Sequence, residues 1–312
     1  MNDTTKESRP YRILSLDGGG AKGFYTLGVL KEIESMLNCP LYKKFNLIYG
    51  TSTGAIIATL LALGYEVDQI HDLYKKHVPT VMKPWLASRK SAALRRLGDS
   101  IFRDRTFDEV KTAVGIVATK WIIEKPMIFK GSVAQAHGRT GSFVPGFGCT
   151  ISDAVQASCS AYPFFKRKIV HTSIGDDVEL VDGGYCANNP TLYAIADAVV
   201  ALKKAHSEIR VVSIGVGVYP EPKGAVHYRI YKKISPTLKI LQKTLEINTQ
   251  SMDQLRSVLF KDIRTIRIND TFEQPEMATD LMEHNLQKLN ILRQRGRESF
   301  ANREEQLKEF LL

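Results

Sequence analysis

The sequence predicts an α/β protein: a mainly parallel central sheet with helices on both faces and a helical C-terminal addition. Three observations carry this. Short apolar runs alternate with helical periodicities, the pattern of strands joined by helical crossovers and covered on both sides. Two strand-to-helix junctions are rich in small residues, at "DGGGAKG" (17–23) and "GTSTG" (50–54). Beyond Pro222 the spacing becomes mainly helical.

Taken in order, residues 12–17 read as a buried strand, and Leu27, Leu30, Ile33 and Leu37 recur at helical spacing over 23–38. A second strand at 45–49 runs through GTSTG into an apolar helix at 55–63, which Gly64 stops. A helix over 67–77 precedes a Pro-interrupted basic stretch that reads as a surface excursion. Residues 127–130 form a strand, Ser152 caps a helix through Ala157, and a strand at 178–181 ends in "DGGYCANNP". Pro190 opens a helix, 210–218 is a strand, and 236–260 is a helix. A last strand at 263–268 precedes a helical stretch from Glu276. The expected division is one α/β domain over 11–220, a mainly helical extension over 221–312 packed on it, and a disordered tail at 1–10.

Composition narrows the class. Hydrophobic residues at 44% and charged residues at 24% suit a soluble globular chain with a sizeable core. The start has no apolar signal-peptide region, and no segment reaches the ~18 apolar residues of a membrane span. The four cysteines show no metal spacing and no disulfide framework, so the expected compartment is the cytoplasm. There is no EF-hand pattern or ligand cluster, so no metal is expected. A net charge of +10 calls for an anionic partner. Nine Lys/Arg lie between Lys75 and Arg105 against two Asp, with Trp85 and Leu86 among them. A second cluster is Tyr228, Arg229, Tyr231, Lys232 and Lys233. Each cluster reads either as an anion-binding surface or as a solvated basic face. No nucleic-acid-binding module is present, so no polymer of that kind is expected.

Gly18, Gly20 and Gly23 spell GxGxxG between a strand and a helix, a dinucleotide-binding pattern. That fingerprint also needs an acidic residue at the end of the second strand, where Tyr49-Gly50 stands instead. A P-loop fails too, since Lys22 is not followed by Ser or Thr. Gly50 and Gly54 flank Ser52 in a G-x-S-x-G turn between strand and helix, the setting of a nucleophile elbow. An activated Ser needs a base and donors for an oxyanion. Backbone N–H groups near Gly19 and Gly20, at the positive end of the next helix, can supply the donors. For the base, His227 follows a late strand and Asp182 ends "VELVD", with Gly183 and Gly184 behind it. On its turn alone, Asp182 reads rather as a turn-forming residue. A non-catalytic regulator that binds a nucleotide on the glycine loop is the other reading of these motifs.

Together these residues resemble the patatin-like phospholipases. That family's DGGG-x-[KR]-G loop matches 17–23, its G-x-S-x-G matches 50–54, and its D-G-[GA] matches 182–184. "ASCSAYPFF" (157–165) and "NNP" (188–190) are also similar to family segments. The resemblance implies a three-layer α/β/α fold and hydrolysis of membrane phospholipid esters by a Ser52–Asp182 dyad without histidine. It also implies an oxyanion hole at Gly19 and Gly20. Domain order and length further resemble bacterial patatin-like effectors of cyclic-nucleotide-triggered antiphage systems. That resemblance implies a cyclic di- or trinucleotide activator. The expected location is the cytoplasm, peripheral to the inner face of the membrane when active, and a ligand that binds the active state more tightly can gate it through self-association. The cluster at 228–233 is the expected nucleotide contact.

Overall fold

A computed structural model describes residues 9–221 and 235–312. The first half comprises β1 (Tyr11–Leu16), α1 (Gly23–Leu37), α2 (Leu41–Lys44), β2 (Leu47–Thr51), α3 (Thr53–Ala62), α4 (Val67–Met82), α5 (Ala87–Ile101), β3 (Ala113–Lys120) and β4 (Lys125–Lys130). Then come α6 (Ile151–Ser158), β5 (Lys168–His171), β6 (Asp177–Asp182), α7 (Gly184–Ala187), α8 (Thr191–Ala196) and β7 (Ile209–Ile214). The C-terminal portion adds α9 (Ser235–Leu259), β8 (Arg264–Ile268), α10 (Leu286–Ala301) and α11 (Glu304–Leu311).

Among the described residues, all eight strands form one sheet in the order β5-β6-β3-β2-β1-β7-β8, with β4 on β3. Strands β3, β2, β1, β7 and β8 run parallel, whereas β4, β6 and β5 join antiparallel. The sheet is thus a parallel core with an antiparallel arm. Leu14, Leu16, Ile48 and Ile116 face one apolar cluster with α1, α3, α4 and α10, while Ile13, Leu47, Tyr49 and Val211 face another with α7 and α8. Helix α3 is buried over almost its whole surface, and Leu60 and Leu61 are fully enclosed. Each such side chain contributes about 1.5–3 kcal/mol by leaving water. The central helix is therefore anchored from every side, and the turn that precedes it is held with it.

Three local expectations are corrected. Thr150, not Ser152, caps α6, its Oγ1 accepting from the Asp153 N–H at 3.1 Å. Helix α4 runs past His77 and through Pro79 to Met82. Strand β3 stands where no strand was expected.

The basic stretch is also less exposed than its composition suggests. It folds as the end of α4 and all of α5, and Lys90 turns inward to donate to the Met82 carbonyl. Burial pushes the Lys90 ammonium down to about 8. Lys75, Arg95 and Arg105 pair with Asp72, Asp99 and Glu109. Trp85 and Leu86 lie exposed at the junction of the two helices.

Candidate active site

Strand register brings the two key segments together. Along β3, Val117 pairs with Thr51 of β2 and the next residue, Ala118, pairs with Asp182 of β6. Because β4 occupies the other edge of β3 over these positions, β2 and β6 share a single edge, end against end. The residue after Thr51 therefore meets the last residue of β6. Ser52 Oγ donates to Asp182 Oδ2 at 2.7 Å.

Ser52 sits at φ 53° and ψ −121°, a conformation that L residues rarely adopt. A strained strand-to-helix turn of this kind lifts the hydroxyl off the sheet edge. Its backbone N–H donates to Ser158 Oγ at 2.9 Å, and that hydroxyl donates to the Val117 carbonyl at 2.6 Å. The "ASCS" segment thus locks the elbow, and the Ser52 N–H is not aimed at the reacting oxygen. Gly50 lies in β2 and Gly54 in the first turn of α3.

Asp182 is buried, and its second oxygen accepts the Gly184 N–H at 2.7 Å. Its carbonyl accepts from Thr119 Oγ1 at 2.9 Å. Gly183 and Gly184 make the turn into α7. Burial raises the Asp182 carboxyl to about 7, opposed by the bonds from Gly184 and Ser52. A carboxylate so destabilised is a stronger base for a hydroxyl than an exposed one.

The glycine loop closes the site from above. The Gly18 N–H is bound to the Asn188 carbonyl and the Ala21 N–H to the Leu281 carbonyl. Those of Gly19 and Gly20 have no acceptor among the described residues, and both glycines line the same cavity as Ser52 and Asp182. Gly20 has φ +57°, and a side chain there would meet the Leu281 carbonyl at 2.4 Å. Gly23 opens α1, whose N-terminus adds positive potential.

Three supports of this loop were invisible in the sequence because their partners are remote. Arg267 of β8 makes a two-pronged ion pair with buried Asp17 and also donates to Ser213 Oγ. Asn188, of the "NNP" segment, donates through Nδ2 to the Gly18 carbonyl at 3.2 Å and to Thr249 Oγ1 at 2.7 Å. Lys22, almost fully buried, lies 3.6 Å from Glu246. Helix α9 therefore braces the glycine loop from behind.

From Ser52 an apolar slot runs between α3, α4 and α5, lined by Ile56, Leu60, Val78, Leu94, Leu97 and Phe165 among others. Its lining suits an acyl chain. Its free volume is ≈ 70 Å³. The described residues contain no group of three or more His, Cys, Asp or Glu that could hold a metal. If Ser52 and Asp182 carry the reaction unaided, EDTA is expected to leave hydrolysis of dispersed lipid unchanged, whereas strong inhibition reversed by calcium would contradict this. Tyr228, Arg229, Tyr231, Lys232, Lys233 and His227 lie outside the described residues.

A strained serine on a strand-to-helix turn, bonded to a buried carboxyl beneath free backbone donors, defines a serine ester hydrolase with an apolar substrate slot. A family model described as patatin-like phospholipase matches residues 14–195, and the chain belongs to that family. Over 301 residues it is 69% identical to an Escherichia coli protein named cUMP-AMP-activated phospholipase, covering 96% of this chain and 94% of that one. It is 26% identical over 234 residues to a Vibrio cholerae cGAMP-activated phospholipase, covering 65% of this chain and 63% of that one. It is 27% identical over 265 residues to the human calcium-independent phospholipase A2-gamma, covering 78% of this chain but only 33% of that protein. No helix among the described residues is long and apolar enough to cross a membrane.

Proposed function

We propose that this chain is a phospholipase A-type acyl hydrolase in which Ser52 is the nucleophile and Asp182 the only side-chain base. The observation that carries this reading is the 2.7 Å bond from Ser52 Oγ to a buried carboxylate. Asp182 takes the hydroxyl proton as Ser52 Oγ bonds to the ester carbon. The carbonyl oxygen becomes an oxyanion within reach of the Gly19 and Gly20 N–H groups. Collapse breaks the bond to the glycerol oxygen, which leaves with the proton from Asp182, and the acyl group stays on Ser52. Water then attacks the acyl-enzyme, giving its proton to Asp182 and returning Ser52 with release of the fatty acid. A fluorophosphonate probe is expected to label Ser52. An unreactive Ser52 in protein that binds nucleotide would instead favour a non-catalytic regulator acting through the glycine loop.

The activity is switched on by a cyclic oligonucleotide, as part of bacterial antiphage defence. Support comes from the names of two relatives, activated by cUMP-AMP and by cGAMP. The narrow slot supports it as well, since ≈ 70 Å³ is far below the roughly 300 Å³ or more of ligand-binding pockets. Substrate entry is then expected to widen the slot, which α4 and α5 flank. Hydrolysis of a fluorogenic phospholipid should appear only when the matching cyclic nucleotide is added from a panel; full activity of the purified protein alone would refute the gate.

The same pair of helices carries the membrane contact, through Trp85 and Leu86 with flanking cations such as Lys83 and Arg89. Each cation near an anionic surface adds about 1 kcal/mol. Vesicle binding is expected to rise with anionic lipid and fall with salt. Replacing Trp85 and Leu86 together by Ala should weaken it roughly tenfold or more, since each buries a large apolar side chain. Equal affinity for neutral and anionic vesicles would leave this stretch a solvated face.

A further inference from the structure

At the sheet edge opposite Ser52, the start of β1, the end of α2 and Lys204 enclose an open bowl of ≈ 380 Å³. Arg9, Arg12, Lys43, Lys44 and Lys204 line it, with Tyr11, and no described carboxylate does. None of these five cations has an ion-pair partner among the described residues. Lys204 lies over the Tyr11 ring at 5.4 Å and Lys43 over Tyr42 at 6.0 Å. The Arg12 Nε is buried without a hydrogen-bond partner.

The sheet extends this array. Register places Arg12 beside Arg210 on β7, and Arg210 beside Arg264 on β8. Three arginines therefore stand side by side on neighbouring strands, an arrangement that destabilises a sheet through repulsion of like charges. Burial, then the charges of Arg264 and Arg12, push the Arg210 pKa down. Burial, then Arg12, does the same to Lys44. A concave set of uncompensated cations concentrates anions, and guanidinium groups match phosphate oxygens in forked geometry. The volume suits a small organic ligand, and Tyr11 offers an aromatic face for a base.

We propose that this bowl binds the phosphodiester activator, a cyclic dinucleotide, with Arg9, Arg12, Lys43, Lys44 and Lys204 meeting its two phosphates. The assignment rests on the activator reading given above and adds its place. A lipid headgroup shares the phosphodiester chemistry, but with Ser52 turned to a membrane this edge faces water. The bowl also sits on the two strands that matter. Asn46 Oδ1 accepts the Arg12 N–H at 2.8 Å, which ties the start of β1 to the start of β2. Those strands end in the glycine loop and the nucleophile elbow.

Calorimetry on the full chain with cUMP-AMP tests this. The double variant Arg9→Glu/Lys44→Glu is expected to bind at least tenfold more weakly than wild type, and Lys120→Glu, on a different face, within twofold of it. Hydrogen exchange on the wild-type protein, which needs no variant to fold, should show cUMP-AMP protecting 11–12 and 43–46. Unchanged affinity in the double variant, or protection confined to other segments, overturns the site and leaves the activator reading standing. If wild type binds neither cUMP-AMP nor cGAMP, the activator reading and the site fall together. If the double variant loses phosphatidylglycerol vesicle binding yet keeps its cUMP-AMP affinity, the cations serve lipid and the assignment is wrong.

Discussion

Ser52→Ala and Asp182→Ala are each expected to lower kcat/KM on a fluorogenic phospholipid by about 10⁴-fold or more, with protein assayed under activating conditions. In the proposed dyad the two side chains act as one unit, Oγ and Oδ2 being 2.7 Å apart, so either loss leaves the partner with nothing to do. The double variant should therefore be little worse than either single one. The remaining activity should reflect the backbone donors of the glycine loop and the apolar slot, which neither substitution touches. His227→Ala should retain most activity. If it proves as inactive as Ser52→Ala, a conventional triad operates and the dyad is wrong.

Asp182→Asn should abolish hydrolysis and yet stabilise the fold, increasingly so as pH rises. Burial raises the native carboxyl to about 7, while an unfolded chain titrates near 4. Between these values the native state binds more protons than the unfolded one, so wild-type stability falls as pH increases. The loss from this group begins near pH 4 and levels off above pH 7, at on the order of 4 kcal/mol. Asparagine does not titrate, so the variant lacks this loss. The melting temperature of Asp182→Asn relative to wild type should rise by roughly 5–10 °C between pH 4 and pH 8. The same ionisation shapes catalysis, because only the carboxylate can accept the Ser52 proton; activity should climb with pH to half its maximum near 7. A melting difference that stays constant from pH 4 to 8 would show that Asp182 is not held neutral by burial.

Much of the site was legible because its parts are local. The loop at Gly18–Gly20 and the elbow at Ser52 are short turns between a strand and a helix, and their small residues mark them directly. Asp182 was different: residue chemistry alone made it a rival of His227 that its Asp-Gly turn reads as structural, and only the resemblance singled it out. Strand β3 escaped notice because Gly115 interrupts its apolar run, and glycine within a strand reads as a break. The structure supplies the reason for that glycine. A side chain at Gly115 would meet the Tyr49 ring at 2.2 Å, so the residue makes room for an aromatic on the next strand. The braces on the glycine loop could not be read at all. Arg267 is 250 positions from Asp17, and Thr249 is 61 from Asn188.

The shared edge of β3 has a consequence for how the protein comes into being. Ser52 and Asp182 are 130 residues apart, and they meet only after β2, β3 and β6 have paired. A growing chain that has reached β3 carries Ser52 but not Asp182. One that has reached β7 still lacks Arg267 to hold Asp17 beneath the glycine loop. Contacts this distant in sequence form slowly, and synthesis delivers them last. On the proposed dyad, a nascent chain is therefore expected to lack esterase activity until β6 and β8 are in place, before any ligand has a say.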